Sequence, residues 1–221
     1  MAISWKPCGE KSTEVKVNST KVIAFDCDGV LFDSANANRS YFNHILSHFG
    51  KADMTDGQFA YVHMHTTDEA IFYLFAGDQR VDEAKSYSKK MGYEAFIPHM
   101  KIEPYLRPLL KRLRPDFKTA IATNRTDTMR RVLEAYQLED SFDLVVSAMD
   151  VVYPKPHPEA LLRVLNFFNI QSDQALYVGD SLLDEQAAKA AGIPLAAYGN
   201  PSLSADYHIS SLKELETILD L

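Results

Sequence analysis

Cysteine is scarce in this sequence of 221 residues, and long apolar runs and an excess of positive charge are absent. Two cysteines, Cys8 and Cys27, give no disulfide framework, and no apolar run reaches the roughly 20 residues of a membrane helix. The first ten residues lack the apolar core of a secretory signal. The net charge of −7 argues against electrostatic binding of nucleic acid. We therefore expect a cytoplasmic protein without a membrane or nucleic-acid partner.

Several short apolar runs indicate a parallel β-sheet. Residues 21–26, KVIAFD, are apolar and β-branched without polar alternation, which is typical of strands buried on both faces. Similar runs occur at residues 118–123, 175–180 and 194–199, with a weaker one at 142–148. Helical patterns occur between them at residues 126–138, 157–170 and 180–192. This alternation predicts right-handed crossovers and hence a Rossmann-like, doubly wound α/β fold.

Residues 35–100 interrupt the alternation because they contain no strand-like run. Four helical patterns in this part of the chain cover residues 34–50, 55–65, 67–77 and 81–92. Thr55 and Thr67 begin two of these patterns and are the expected N-caps. We therefore predict an all-helical domain at residues 35–100, inserted into an α/β core formed by residues 1–34 and 101–221.

Polar side chains follow four of the predicted strands at the point where each strand ends. Because ligands bind at the carboxyl ends of parallel strands, we expect these side chains to meet in one crevice. They are Asp26 and Asp28 after the first strand, Thr123, Asn124 and Arg125 after the second, Lys155 after the third, and Asp180 and Asp184 after the fourth.

The chemistry of this set points to phosphoryl transfer. Clustered carboxylates repel one another unless a hard cation neutralises them, and Mg²⁺ prefers oxygen ligands. One carboxylate can attack phosphorus, and a second carboxyl group can protonate the leaving oxygen and then activate water. A lysine and a hydroxyl group can neutralise the phosphoryl oxygens, where the transition state carries charge.

The sequence resembles the haloacid dehalogenase-like (HAD) superfamily of phosphotransferases through four motifs in order. The motifs are DCDGVLFDS at residues 26–34, ATN at 122–124, Lys155 within PKPHP, and GDSLLD at 179–184. The resemblance covers residues 21–221, and the overall pattern looks most like the phosphoglycolate phosphatase and β-phosphoglucomutase branch. It implies that the helical insertion is a C1-type cap that closes over the crevice and selects the substrate.

The resemblance also implies a role for the residues of the first three motifs. Asp26 would be the nucleophile and a Mg²⁺ ligand. Asp28 would be the general acid and base, and its backbone carbonyl would bind the metal. Thr123 and Lys155 would hold the transferring phosphoryl group, with Asn124 assisting them.

Two further acidic residues and a glycine complete the implied site. Asp180 would be a metal ligand. Asp184 would be either a ligand or a partner that orients Lys155 or a metal-bound water. Gly29 would let the chain turn sharply beside the bound phosphate, because glycine has no side chain to obstruct the turn.

Three more residues are candidates for contact with the substrate. Arg39 on the first cap helix and Arg125 beside the second motif could bind a phosphate or carboxylate, and a solvent-exposed arginine is the alternative for each. His65 lies in residues 62–67, a break between cap helices that could reach into the crevice; an ordinary helix connection is the alternative. His63 and His65 would not share one face of a helix, so a metal-binding pair is not expected.

These features predict a Mg²⁺-dependent phosphatase that hydrolyses a small soluble phosphomonoester through an aspartyl-phosphate. A phosphomutase of the β-phosphoglucomutase type uses the same motifs and stays open. A non-catalytic binding protein on this scaffold is a remote alternative, because Asp26, Asp28, Lys155 and Asp180 are all present. Haloalkanoate dehalogenases lack the second aspartate, so Asp28 argues against dehalogenation. The motifs leave the identity of the ester and the oligomeric state open.

Overall fold

The computed structural model describes residues 19–221, so the irregular surface arm expected at residues 1–20 lies almost wholly outside the described residues. The strands are β1 Val22–Phe25, β2 Phe32–Asp33, β3 Lys101–Ile102, β4 Lys118–Ala122, β5 Leu144–Val146, β6 Ala175–Gly179, β7 Leu195–Tyr198 and β8 Tyr207–Ile209. Six of them form one parallel sheet in the order β5-β4-β1-β6-β7-β8, and β2 pairs with β3 separately.

The central strand β1 is buried on both faces. Ile23 and Phe25 belong to the apolar cluster on one face of the sheet, and Val22 and Ala24 belong to the cluster on the other face. Successive side chains of a strand point to opposite faces, so a strand covered by two layers needs an apolar residue at every position. The parallel α/β sheet predicted from the sequence is confirmed.

Two features of the sheets were not predicted. The edge strand β8 has only three residues and exposes His208, so it forms no continuous apolar run. In the antiparallel pair of β2 and β3, Phe32 lies opposite Ile102 and Asp33 lies opposite Lys101. Strands of two residues carry no periodic pattern, but this pair joins the segments that lead into and out of the helical insertion.

The helices of the described chain are α1 Ala35–His48, α2 Asp56–Val62, α3 Thr67–Leu74, α4 Val81–Met91, α5 Leu106–Leu113, α6 Met129–Ala135, α7 Glu159–Phe168, α8 Leu182–Ala191 and α9 Leu215–Ile218. Thr55 is the N-cap of α2, as predicted. The N-cap of α3 is Thr66 rather than Thr67, because the side chain of Thr66 accepts the N–H of Glu69 in a capping box.

The insertion shares apolar packing with the core. One buried cluster contains Phe25 on β1 together with Ile45 and Phe75 of the insertion. The division of the chain into residues 35–100 and a core on either side stays a prediction. Within residues 19–221, no helix combines the length and the apolarity needed to cross a bilayer.

Candidate active site

The carboxyl ends of β1, β4 and β6 lie side by side, which gathers the residues that follow them. Phe25 at the end of β1 is level with Ile121 on β4 and with Val178 on β6. Asp26, the next residue, donates its backbone N–H to the carbonyl of Val178 at 2.8 Å. The segments after these strands therefore open at one edge of the sheet, where α/β proteins bind ligands.

Lys155 is buried between two carboxylates. Its Nζ lies 2.8 Å from Oδ1 of Asp26 and 2.6 Å from Oδ1 of Asp184. Nζ also donates to the hydroxyl of Tyr177 at 3.0 Å. Burial opposes the charge of the ammonium group, but Asp184 and Asp26 outweigh burial and raise the pKa of Lys155. A fixed positive charge therefore stands beside Asp26.

Asn124 holds the backbone of Lys155 in place. Its Oδ1 accepts the N–H of Lys155 at 2.8 Å, and its Nδ2 donates to the carbonyl of Lys155 at 2.9 Å. Nδ2 also donates to the carbonyl of Met64, just beyond α2, at 3.2 Å. The neighbouring Thr123 is buried, and its hydroxyl accepts the N–H of Arg125 at 3.2 Å. Asn124 thus links the lysine loop to the insertion.

Asp184 is fully buried, and protein donors occupy both of its oxygens. Lys155 and the Tyr177 hydroxyl contact Oδ1. The N–H and the hydroxyl of Ser181 donate to Oδ2 at 3.0 and 2.5 Å. Burial would raise the pKa of Asp184, but the ion pair with Lys155 outweighs it and lowers this pKa. Of the two roles that the sequence leaves open for Asp184, this arrangement favours the orientation of Lys155.

Tyr177 on β6 is a site residue that the sequence reasoning missed. Its hydroxyl lies 2.7 Å from Asp184 and 2.9 Å from the carbonyl of Ala122, and it also accepts from Lys155. The signal available in the sequence was a tyrosine inside an otherwise apolar, buried strand. A buried hydroxyl needs hydrogen-bond partners, so such a tyrosine marks nearby polar groups.

The described residues only partly compensate the negative charge of Asp26 and Asp180. Oδ1 of Asp26 is paired with Lys155 but accepts no aligned hydrogen bond, and it is the one such buried side-chain atom in residues 19–221. Burial raises the pKa of Asp26 to about 7 and that of Asp180 to about 8. One oxygen each from Asp26, Asp180 and Asp184 lies within 4.8 Å of the others. This arrangement fits a divalent cation, which takes oxygen ligands and favours ionised carboxylates.

Arg125 holds Asp28 as an ionised carboxylate. Nε of Arg125 donates to Oδ2 of Asp28 at 3.0 Å, and Nη2 donates to Oδ1 at 2.5 Å. The hydroxyl of Ser34 also donates to Oδ1. Burial would raise the pKa of Asp28, but the guanidinium outweighs burial and keeps this pKa below its ordinary value. In this arrangement Asp28 is therefore a proton acceptor.

Gly29 lets the chain pass close to Asp180 after β1. Its φ of +84° lies in the left-handed region, where residues with a side chain are strained. A β-carbon at this position would overlap the carboxylate of Asp180. The absence of a side chain at Gly29 therefore allows Asp180 to stand next to the loop that carries Asp28.

If a divalent cation such as Mg²⁺ binds at these carboxylates, Gly29→Ala should weaken that binding about tenfold, because the new methyl group displaces the carboxylate of Asp180. The left-handed backbone should also cost about 1–2 kcal/mol of stability. Calorimetric titration of Mg²⁺ tests the first effect. The control is Gly50→Ala, which has a similar φ of +69° but no atom within 4 Å of the added β-carbon. Equal Mg²⁺ affinities in the two variants would contradict the prediction.

A crevice of about 360 Å³ opens above these carboxylates. The core contributes Asp26, Asp28 and Asp180 to its lining, and the end of α2 contributes Phe59, His63 and Met64. The sequence reasoning placed His65, rather than His63, among the residues that contact the substrate. His63, which directly follows the last residue of α2, lines the crevice instead.

None of the three residues that the sequence nominates for substrate contact lines this crevice. Arg125 pairs with Asp28 instead. Arg39 pairs with Asp56 at 3.0 Å, and its guanidinium carbon lies 4.2 Å from the ring centre of Phe59. Nδ1 of His65 lies 2.7 Å from the carbonyl of Tyr61, and the two rings are stacked. Substrate contact by Arg39, Arg125 and His65 stays a prediction, and it would need these pairings to change.

Comparisons of the sequence with known proteins point to one family. Residues 23–198 match the family model described as haloacid dehalogenase-like hydrolase. The phosphoglycolate phosphatase of Chromobacterium violaceum is 29% identical over 90% of this chain and 96% of its own length. The phosphoglycolate phosphatase of Nitrosospira multiformis is 30% identical over 78% of this chain and 80% of its own length.

Solved structures show the same fold. A HAD-superfamily hydrolase of subfamily IA, variant 1, from Geobacter sulfurreducens superposes with a TM-score of 0.75 and 34% identity, over 91% of this chain and 97% of its own. A β-phosphoglucomutase from Clostridium difficile superposes with a TM-score of 0.78 over 91% of this chain and 96% of its own. At 21% identity, this second likeness shows the fold alone.

Proposed function

Since this chain belongs to the haloacid dehalogenase-like hydrolase family and is a phosphatase, we propose that it hydrolyses a small phosphomonoester through an aspartyl-phosphate on Asp26. The observation that carries this proposal is the buried pairing of Asp26 with Lys155 at the base of the crevice that also holds Asp28. A nucleophilic carboxylate divides one difficult displacement at phosphorus into two easier ones.

In the first displacement, an oxygen of Asp26 attacks phosphorus, and the bond from phosphorus to the ester oxygen breaks on the opposite side. The Nζ of Lys155, 2.8 Å from Asp26, is placed to neutralise the equatorial phosphoryl oxygens. We assign the same role to the buried hydroxyl of Thr123. Asn124 serves this step indirectly, because it fixes the backbone of Lys155 through two hydrogen bonds.

Asp28 moves the proton in both displacements. For the first, it must be protonated and must give that proton to the leaving alkoxide. For the second, it must be a carboxylate that takes a proton from the water attacking the aspartyl-phosphate. The contacts from Arg125 and Ser34 stabilise the carboxylate, which is the form required in the second displacement.

Asp26, Asp180 and the backbone carbonyl of Asp28 are the residues that we propose to hold Mg²⁺. Two observations support this assignment. The pKa values of Asp26 and Asp180 are raised by burial, and Oδ1 of Asp26 lacks an aligned hydrogen bond. When bound, Mg²⁺ would neutralise negative charge on the transferring phosphoryl group.

Mg²⁺ is expected to raise the melting temperature more at about pH 8.5 than at about pH 6. The folded-state pKa values of Asp26 and Asp180, about 7 and about 8, exceed the ordinary value of 3.8. Without metal, these groups therefore contribute stability below about pH 4 that is lost as the pH rises through 7 and 8. Mg²⁺ favours the ionised forms of Asp26 and Asp180, so the increase in melting temperature that Mg²⁺ causes should grow over the same pH range. Calorimetry with and without Mg²⁺ measures this increase, and equal increases at both pH values would contradict the prediction.

The substrate and the fate of the phosphoryl group need a direct test. Because two relatives carry the name phosphoglycolate phosphatase, phosphoglycolate is the first ester to examine. A phosphomutase is the second candidate, because it would use the same two aspartates. Incubation with a hexose phosphate separates the two functions, because a phosphatase releases inorganic phosphate and a mutase releases an isomeric ester.

A screen of phosphomonoesters with Mg²⁺ tests the proposed function. We expect phosphate release from at least one small ester, and we expect a chelator to abolish it. An Asp26→Asn variant that releases phosphate as fast as the unmodified protein would overturn the proposed mechanism.

A further inference from the structure

The insertion places one polar side chain, that of His63, in the lining of the crevice. We infer that His63 donates a hydrogen bond from Nε2–H to the leaving group, so that the enzyme selects phosphomonoesters whose leaving group carries an oxygen acceptor close to the ester oxygen. This inference rests on the proposed function. It follows from a chain of hydrogen bonds whose direction can be worked out from Ser34 outward.

The chain of hydrogen bonds begins at Ser34, whose hydroxyl donates to Oδ1 of Asp28. Arg125 donates to both oxygens of the same carboxyl group. The single proton of the Ser34 hydroxyl is therefore directed at Asp28, which leaves the lone pairs of this hydroxyl to accept from elsewhere.

Asn38 on α1 supplies the donor for Ser34. The Nδ2 of Asn38 lies 3.4 Å from the Ser34 hydroxyl, and its Oδ1 accepts from the hydroxyl of Tyr93. Both contacts require the amide to be oriented with its NH₂ group toward Ser34. The same NH₂ group lies 3.0 Å from Nδ1 of His63. Its second hydrogen is therefore directed at His63.

Nδ1 of His63 must then accept, which fixes the tautomer of the ring. In a neutral imidazole, one nitrogen accepts and the other carries the proton, so the proton lies on Nε2. Burial lowers the pKa of His63, which favours this neutral form. The ring of Phe59 lies against His63 at a centroid distance of 5.0 Å and limits its rotation.

Nε2–H is available to a ligand. Within residues 19–221, no side chain or backbone group forms a hydrogen bond with Nε2 of His63, and this atom is not enclosed. His63 lines the same crevice as Asp26 and Asp28, whereas Phe59, Ala60 and Met64, the other insertion residues of the lining, cannot donate from a side chain. No lysine or arginine belongs to the described lining. A side-chain donor on the insertion side of the described lining must therefore come from His63.

Two matched esters test the inference in solution. Ethyl phosphate and 2-hydroxyethyl phosphate share a two-carbon leaving group, and only the second carries an additional oxygen acceptor. We expect the ratio of their kcat/KM values to fall about tenfold in His63→Phe, because this variant loses the hydrogen bond to the additional oxygen of 2-hydroxyethyl phosphate and keeps the contacts to the rest of the ester. His63→Gln, which keeps an N–H near the position of Nε2, should recover most of the ratio. His48→Phe, an exposed cap histidine stacked on Tyr87, should leave the ratio unchanged.

The outcomes are distinguishable. If the unmodified protein hydrolyses no ester of the screen faster than Asp26→Asn does, the proposed function fails, and this inference fails with it. If the protein hydrolyses another ester but 2-hydroxyethyl phosphate no faster than ethyl phosphate, only the inference is overturned. If the protein is active and His63→Phe lowers kcat/KM for both esters equally, only the inference is overturned.

Nitrogen-15 NMR of histidine-labelled protein tests the tautomer without any assay of activity. We expect the proton of His63 on Nε2 in the unmodified protein. In Asn38→Asp, a carboxylate replaces the amide donor, and we expect the proton on Nδ1. A proton on Nδ1 of His63 in the unmodified protein would overturn the inference.

Discussion

The Asp26→Asn variant is expected to lose phosphatase activity by a factor on the order of 10⁴–10⁶, because an amide cannot form the aspartyl-phosphate. Its melting temperature at about pH 8 should not fall, since burial opposes the ionisation of Asp26 and the amide carries no charge. Phosphate release and thermal unfolding, measured on the same sample, separate lost chemistry from lost folding.

Asp33→Asn is the matched control for this loss. Asp33 is an exposed carboxylate on β2, and its nearest cation, Nζ of Lys101, is 3.9 Å away. The same change of carboxylate to amide should leave both activity and melting temperature almost unaltered there. If Asp26→Asn keeps its activity, the chain does not use Asp26 as a nucleophile.

The Lys155→Met variant is expected to lose both stability and activity. Removing the cation leaves Asp26 and Asp184 buried without their partner, and breaking a buried ion pair costs about 3–5 kcal/mol. For a chain of this length, the melting temperature should fall by about 10 °C. The loss of a donor to the phosphoryl oxygens should lower kcat by about 10²–10³-fold.

The pH dependence of this destabilisation is a further check on its cause. Lys155 lowers the pKa of Asp184, so stability from this pair is present when Asp184 is ionised and is lost on acidification. The difference between Lys155→Met and the unmodified protein should therefore shrink at low pH, where the carboxylates take up protons. Lys89→Met on the exposed side of α4 is the control and should change neither property. A destabilisation that is independent of pH would assign it to packing alone.

Much of the fold followed from local sequence. The unbroken apolar run at residues 21–26 and its later counterparts predicted the parallel sheet, because only a strand covered on both faces tolerates apolar side chains at every position. The capping pattern placed the start of α2 correctly at Thr55. The same rule missed the cap of α3 by one residue, because two adjacent threonines compete and the position of Glu69 selects Thr66.

The chemical groups at the strand ends can be identified from the sequence, because each group directly follows an apolar run that is recognisable as a buried strand. The pairing of those groups follows from the tertiary structure. Arg125 and Asp28 are partners although they lie 97 residues apart, and His63 rather than His65 faces the crevice. These two features depend on how the insertion packs against the core and on the residue at which α2 ends. The hydrophobic period of a strand or a helix, two or 3.6 residues, does not determine the packing of the insertion or the last residue of α2.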